Sequence, residues 1–165
     1  MERAEGGEKK DVLKRIVRGG VIASVYVGVT YALAPISFGQ FQFRAAEGLT
    51  LLPILYPEAV PALFIGCFLA NLIGPYGILD VILGSLTTLL AAVLTRVTRR
   101  SLVAYVWPIL LNAFIVSAYL CFLSEIRLSY WAFVLSIGVS EAASVLLIGV
   151  PLVRFLRASD PDTNS

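Results

Sequence analysis

The chain has 165 residues, 58% hydrophobic and 15% charged, with a net charge of +2 and a mean hydropathy of +0.86, a composition that excludes a soluble domain and places it in a lipid bilayer. Histidine is absent, which excludes His metal sites, His proton relays and Ser-His or Cys-His triads. The length suits one small membrane domain without a separate catalytic or nucleotide-binding domain, and the small net charge gives no reason to expect nucleic acid, so driving energy is expected from partner chains or an ion gradient.

Residues 1–15 form a polar, charged head, 16–157 the membrane domain and 158–165 a polar tail. The first apolar run extends from about Ile16 to Phe38. Its basic lead and Ala32-Leu33-Ala34 resemble a signal peptide, but the head is long, Pro35 follows at once, and the run reaches the roughly 20 residues of a spanning helix. Within it, Gly20, Ser24, Gly28 and Ala32 recur every four residues. Such a stripe drifts about 40° per step and suits a slanted helix crossing, either inside the protein or against a partner subunit.

The segment from Gly39 to Glu47 alternates amides, aromatics and charges: Gln40, Phe41, Gln42, Phe43, Arg44, Glu47. Aromatic faces beside amides, an Arg and a carboxylate suit a flat heteroaromatic ring with N–H and carbonyl groups. The same residues also suit an interfacial loop with an Arg44–Glu47 pair at a helix start.

Ala45 to Ile73 carries Pro53, Pro57 and Pro61 and is either one broken helix or two short ones. Charge decides, because cytoplasmic ends collect Lys and Arg. Two helices here make six spans and place Arg3, Lys9, Lys10, Lys14, Arg15, Arg18, Arg96, Arg99, Arg100, Arg154 and Arg157 inside, 11 of the 13 basic residues. Five spans scatter them. Six is therefore expected, with Tyr56-Pro57-Glu58 as an inner turn that takes Glu58 out of consideration as a ligand group. Both termini are then cytoplasmic, and Gly74-Pro75-Tyr76-Gly77 is an outer turn.

Three later runs, about Leu79 to Leu94, Leu102 to Leu123 and Tyr130 to Leu156, each span a hydrocarbon core of roughly 30 Å. Asn71 and Asp80 flank the outer turn, Asp80 either as a helix N-cap or as a ligand group together with Asn71 and Glu47. Glu125 and Arg127 read as solvated loop charges. Asn112 and Glu141 lie within the membrane, Glu141 about 12 residues, or roughly 18 Å, into the last helix. A polar group there requires a ligand or a neighbour. Cys67 and Cys121 stand alone in apolar runs and are expected to pack.

Gln42-Phe43-Arg44 with Glu47, Leu49-Thr50-Leu51-Leu52-Pro53, Pro61 followed by Gly66-Cys67, Ala70-Asn71, and Asp80 with Gly84-Ser85 and Thr87 form a linked series. In these the chain resembles queuosine-precursor transporters, the substrate-binding S-components of energy-coupling-factor (ECF) transporters, from about Arg18 to Leu156. The resemblance implies an all-α, polytopic six-helix bundle in a prokaryotic plasma membrane, with residues 16–157 forming an outward-facing site for a 7-deazaguanine such as the 7-aminomethyl or 7-cyano precursor. It implies a role for Gly20, Ser24, Gly28 and Ala32 in docking a transmembrane coupling subunit, and ATP hydrolysis on two separate ATPase subunits. The candidate ligand residues are Gln42, Arg44, Glu47, Asn71, Asp80, Asn112 and Glu141. Glu47 is expected to accept paired N–H groups, Arg44, Gln42 or Asn71 to donate to a carbonyl, and Asp80 or Glu141 to meet an aminomethyl cation. No cofactor or metal is expected, and no GxxxxGK[ST] loop occurs. The alternatives are an autonomous transporter coupled to ions through Glu141 and Asp80, an S-component for another vitamin-like heterocycle, and a small membrane enzyme built on Glu47 and Asp80.

Overall fold

A computed structural model describes residues 2–37, 43–123 and 129–159. Gln40, Gln42, Glu125 and Arg127 lie outside the described residues, and with Gln42 so does its expected role as a donor to a carbonyl. Among the described residues the chain is helical and forms six rods. These are α1 (Glu2–Ala32), α2 (Ala45–Ile54), α3 (Ala59–Leu72), α4 (Gly77–Val97), α5 (Leu102–Phe122) and α6 (Tyr130–Ser159). A short turn, Ala34–Ser37, extends α1.

Three of the rods, α4, α5 and α6, are long and apolar enough to cross a membrane. α1 is longer, but its first half is charged. α2 and α3 are shorter apolar helices; at 2.0 Å per residue for a 3-10 helix and 1.5 Å for an α-helix, each covers only about 20 Å. The expected break between them is present, with a turn at residues 55–58. Arg18 fixes it from α1, pairing with Glu58 at 2.8 Å and stacking over the Tyr56 ring at 4.0 Å. Glu58 is thereby held by one of the basic residues assigned to the inner side.

Large apolar side chains face outward, among them Leu102 (81% exposed) and Phe122 (89%), while Glu47, Asp80, Asn71, Asn112 and Glu141 are buried. Apolar surface outside and polar groups within suit a lipid surround.

α2 is wound as a 3-10 helix with all ten residues buried, far longer than the three or four residues usual for that geometry. Pro53 removes one amide donor, and Arg96 of α4 donates through Nη1 to the carbonyls of Pro53 and Ile54, at 3.0 and 3.3 Å. The end of the helix is thus satisfied without water. Side chains three apart eclipse in this geometry, so Glu47 and Thr50 fall in one row, with Arg44 just ahead of the helix.

Glycines set the tightest crossings. A Cβ on Gly149 of α6 would lie 2.6 Å from the Gly48 carbonyl of α2, and one on Gly66 of α3 would lie 2.9 Å from Tyr26 Cβ of α1. Gly77, at φ 76°, opens α4 from a left-handed conformation that glycine adopts freely. Each long rod also contains one π-helical turn: Asp80–Gly84 in α4, Asn112–Val116 in α5 and Ser144–Gly149 in α6. Such turns carry an extra residue and are frequent at functional sites.

Gly149→Val is expected to destabilise the fold by about 1–3 kcal/mol through overpacking against α2. Gly20→Ala, whose new methyl meets nothing within 4 Å, should leave stability unchanged. Thermal melting of the two purified variants in detergent checks the contrast, and equal melting temperatures would refute the tight α2–α6 crossing.

Candidate functional site

The polar residues converge on one core in two halves. In the first half every carboxylate oxygen is occupied. Asp80 Oδ1 accepts from the Tyr119 hydroxyl at 2.7 Å and from Arg44 Nη2 at 3.4 Å, and Oδ2 accepts from the same nitrogen at 3.2 Å. Asn71 Nδ2 donates to the Asp80 carbonyl at 3.0 Å and approaches the Cys67 sulfur at 3.5 Å. Asp80 is fully buried and Arg44 is 6% exposed, so neither charge has water to solvate it and each depends on the other. Gly84 gives these polar heads room to meet: a Cβ there would lie 2.8 Å from Asn71 Nδ2, 3.0 Å from Asp80 Oδ1 and 3.1 Å from the Tyr119 hydroxyl.

The second half is incomplete. Glu47 Oε1 accepts from the Tyr26 hydroxyl and from Thr88 Oγ1 at 3.3 Å, and the Thr50 hydroxyl donates to the Glu47 carbonyl. Among the described residues, Glu47 Oε2, Glu141 Oε2 and Asn112 Nδ2 have no partner in full hydrogen-bond geometry, although all three atoms are buried. The Asn112 amide lies against both carboxylates as a hydrogen-bonding neighbour, although its Nδ2 falls short of full hydrogen-bond geometry with either. Leaving a buried polar group unmatched costs about 1–3 kcal/mol, and more when it is charged. Buried polar atoms ordinarily have a partner, so these three mark candidate positions for one.

The expected site residues therefore divide. Arg44, Asn71 and Asp80 assemble one wall, and Glu47, Asn112 and Glu141 present unmatched atoms beside it. Asp80 is not an N-cap: it lies inside α4 at the start of the π turn, with its side chain directed at Arg44 and Tyr119. Arg44 directs Nη2 to Asp80, in place of the helix-start pairing with Glu47 that the sequence also allowed. Gly20, Ser24, Gly28 and Ala32 all lie on the exposed side of α1, with open space beyond Gly20 and Gly28.

Tyr26, Cys67, Thr88 and Tyr119 join the core without having been singled out as ligand-site residues. Cys67 does more than pack, because its sulfur receives Asn71 and also Thr88, the latter at 3.4 Å. A signal for Tyr26 exists in the sequence: Ile22, Tyr26 and Thr30 repeat every four residues beside the small-residue stripe and are buried. Tyr119 follows Asn112 by seven residues, two helical turns along the same face.

Among known proteins, the family model described as QueT transporter matches residues 16–158. The protein named Queuosine precursor transporter QueT, from Lactococcus lactis subsp. cremoris (strain MG1363), is 35% identical over 83 residues, 49% of this chain and 48% of the relative. The matched region thus spans about half of that relative's length. No solved structure matches the chain. With most of the membrane domain covered by the family model, the chain belongs to the QueT transporter family.

Proposed function

We propose that this protein is the substrate-capture subunit of an ECF-type importer and that its cargo is a queuosine precursor, a 7-deazaguanine such as the 7-aminomethyl or 7-cyano form. The observation carrying this reading is the group of buried, unmatched atoms on Glu47, Asn112 and Glu141. Support for the cargo comes from the printed name of the Lactococcus lactis relative. The ring offers N–H groups to carboxylates and acceptors to the Asn112 amide, while the Arg44–Asp80 pair holds the neighbouring helices in place.

In this reading all six rods traverse or enter a prokaryotic plasma membrane, both termini are cytoplasmic, and α1 offers Gly20, Ser24, Gly28 and Ala32 to a transmembrane coupling subunit. Two ATPase subunits supply the energy. The exposure of all four stripe residues supports docking over internal packing. The ion-coupled alternative needs Asp80 available for exchange. Its engagement by Arg44 and Tyr119 favours the capture reading.

Calorimetry with 7-aminomethyl-7-deazaguanine and the purified protein tests the cargo, and absence of binding would sink it. Glu47→Gln should weaken binding by about 1.5–3 kcal/mol, roughly ten- to a hundredfold, with little change in melting temperature. Asp80→Ala should act the other way round, lowering stability by about 3–5 kcal/mol because it breaks a buried ion pair by removing one member. Gly28→Leu should prevent co-purification with the coupling subunit while ligand binding by the isolated protein persists. Cellular uptake that continues after deletion of the ATPase subunits would favour the ion-coupled alternative.

A further inference from the structure

Resting on the reading of Glu47 as a cargo ligand, we propose that Cys67 and Thr88 are positioning residues. A one-way chain of hydrogen bonds, from the Cys67 thiol to the Thr88 hydroxyl to Glu47 Oε1, helps the Tyr26 hydroxyl hold the carboxylate by that oxygen and leaves Oε2 for the cargo. Counting protons carries this. Thr88 Oγ1 lies 3.3 Å from Glu47 Oε1 and 3.4 Å from the Cys67 sulfur, yet a hydroxyl has one hydrogen to give. A carboxyl oxygen is much the stronger acceptor, and a thiol sulfur a weak one. The hydroxyl proton therefore goes to Glu47, and the contact with Cys67 is made by the thiol proton, donated to a lone pair of Thr88 Oγ1.

The sulfur keeps its lone pairs for Asn71, whose Nδ2 approaches it at 3.5 Å and also donates to the Asp80 carbonyl at 3.0 Å. An amide nitrogen has two hydrogens and serves both acceptors. Asn71 follows Cys67 by four residues, so both project from one face of α3. From Asn71 through Cys67 and Thr88 to Glu47 every proton thus points the same way, and members of such a chain polarise and strengthen one another. The orientation of Thr88 sets it apart from its neighbours on α4. Ser85 and Thr87 turn their hydroxyls back onto the carbonyls of Val81 and Leu83, at 2.6 and 2.7 Å, as such residues commonly do within a helix. Thr88 instead reaches across to α2 and α3. Glu47, Cys67, Asn71 and Thr88 are all buried, so bulk water does not compete for these protons.

Infrared spectroscopy of the purified protein tests the proton order, because the S–H stretch falls where few other protein groups absorb and moves to lower frequency when the thiol donates. In a Cys121→Ala background only Cys67 contributes. Its band should lie below that of a free thiol in an apolar solvent and should rise in Thr88→Val, whereas a band that Thr88→Val leaves in place overturns the proposal. Calorimetry with 7-aminomethyl-7-deazaguanine tests the consequence for binding. Thr88→Val should weaken binding about three- to tenfold, the worth of one hydrogen bond. Thr88→Ser and Cys67→Ser, which keep a donor and an acceptor at each position, should bind like the parent. Unchanged binding by Thr88→Val, or equal losses in Thr88→Val and Thr88→Ser, overturns the positioning role and leaves the cargo reading intact. Failure of the parent to bind removes the cargo reading and the positioning role with it, while the infrared band still decides the direction of the chain.

Discussion

The Arg44–Asp80 pair is the interaction on which the rest of the structure depends. Two opposite charges buried in an apolar surround stabilise one another, and each fixes the position of the other. Through Asp80 the pair ties the start of α2 to α4, and Tyr119 and Asn71 bring α5 and α3 to the same residue. Four of the six rods are thus registered at one residue, three at its carboxylate and α3 at its main-chain carbonyl. Gly84 is required at that point because a single methyl group would displace the polar heads that meet there.

Around this anchor the core separates a carboxylate filled from within the chain from one only partly filled. Asp80 has its oxygens filled from within the chain, whereas Glu47 has one filled and one open. Arg44 precedes the 3-10 helix and Glu47 lies in its first turn. The first meets Asp80 and the second meets Tyr26 and Thr88. The π turns in α4 and α5 begin at Asp80 and Asn112, and the one in α6 begins three residues after Glu141. Local departures from regular winding thus coincide with polar residues that an unbroken apolar helix would have no reason to orient inward.

Much of this was legible in the sequence, for identifiable reasons. Proline chemistry and the distribution of Lys and Arg separated α2 from α3 and set Glu58 among the basic residues, where Arg18 holds it. Intramembrane polarity drew attention to Glu47, Asn71, Asp80, Asn112 and Glu141, all of them buried in one core. What the sequence left open was partnership. Arg44 had an acidic neighbour three residues away in Glu47 and a distant one in Asp80, and only the three-dimensional crossing of α2 with α4 selects Asp80. Tyr26, Thr88 and Tyr119 are ordinary residues for membrane helices, and they gain significance from the carboxylates opposite them. The 3-10 winding of α2 was equally hidden, since it arises from burial on all sides and from an arginine supplied by another helix.

That winding has a geometric meaning once α2 is set beside α4. Arg44 at one end of α2 meets Asp80, and the carbonyls of Pro53 and Ile54 at the other end meet Arg96. Along α4 these two contacts are 16 residues, or about 24 Å, apart. Ten residues coiled as an α-helix extend about 15 Å and fall well short, while as a 3-10 helix they extend about 20 Å, leaving a gap that two arginine side chains bridge. α4 therefore runs alongside α2 as a ruler, and its two contacts fix both ends of the segment that carries Glu47.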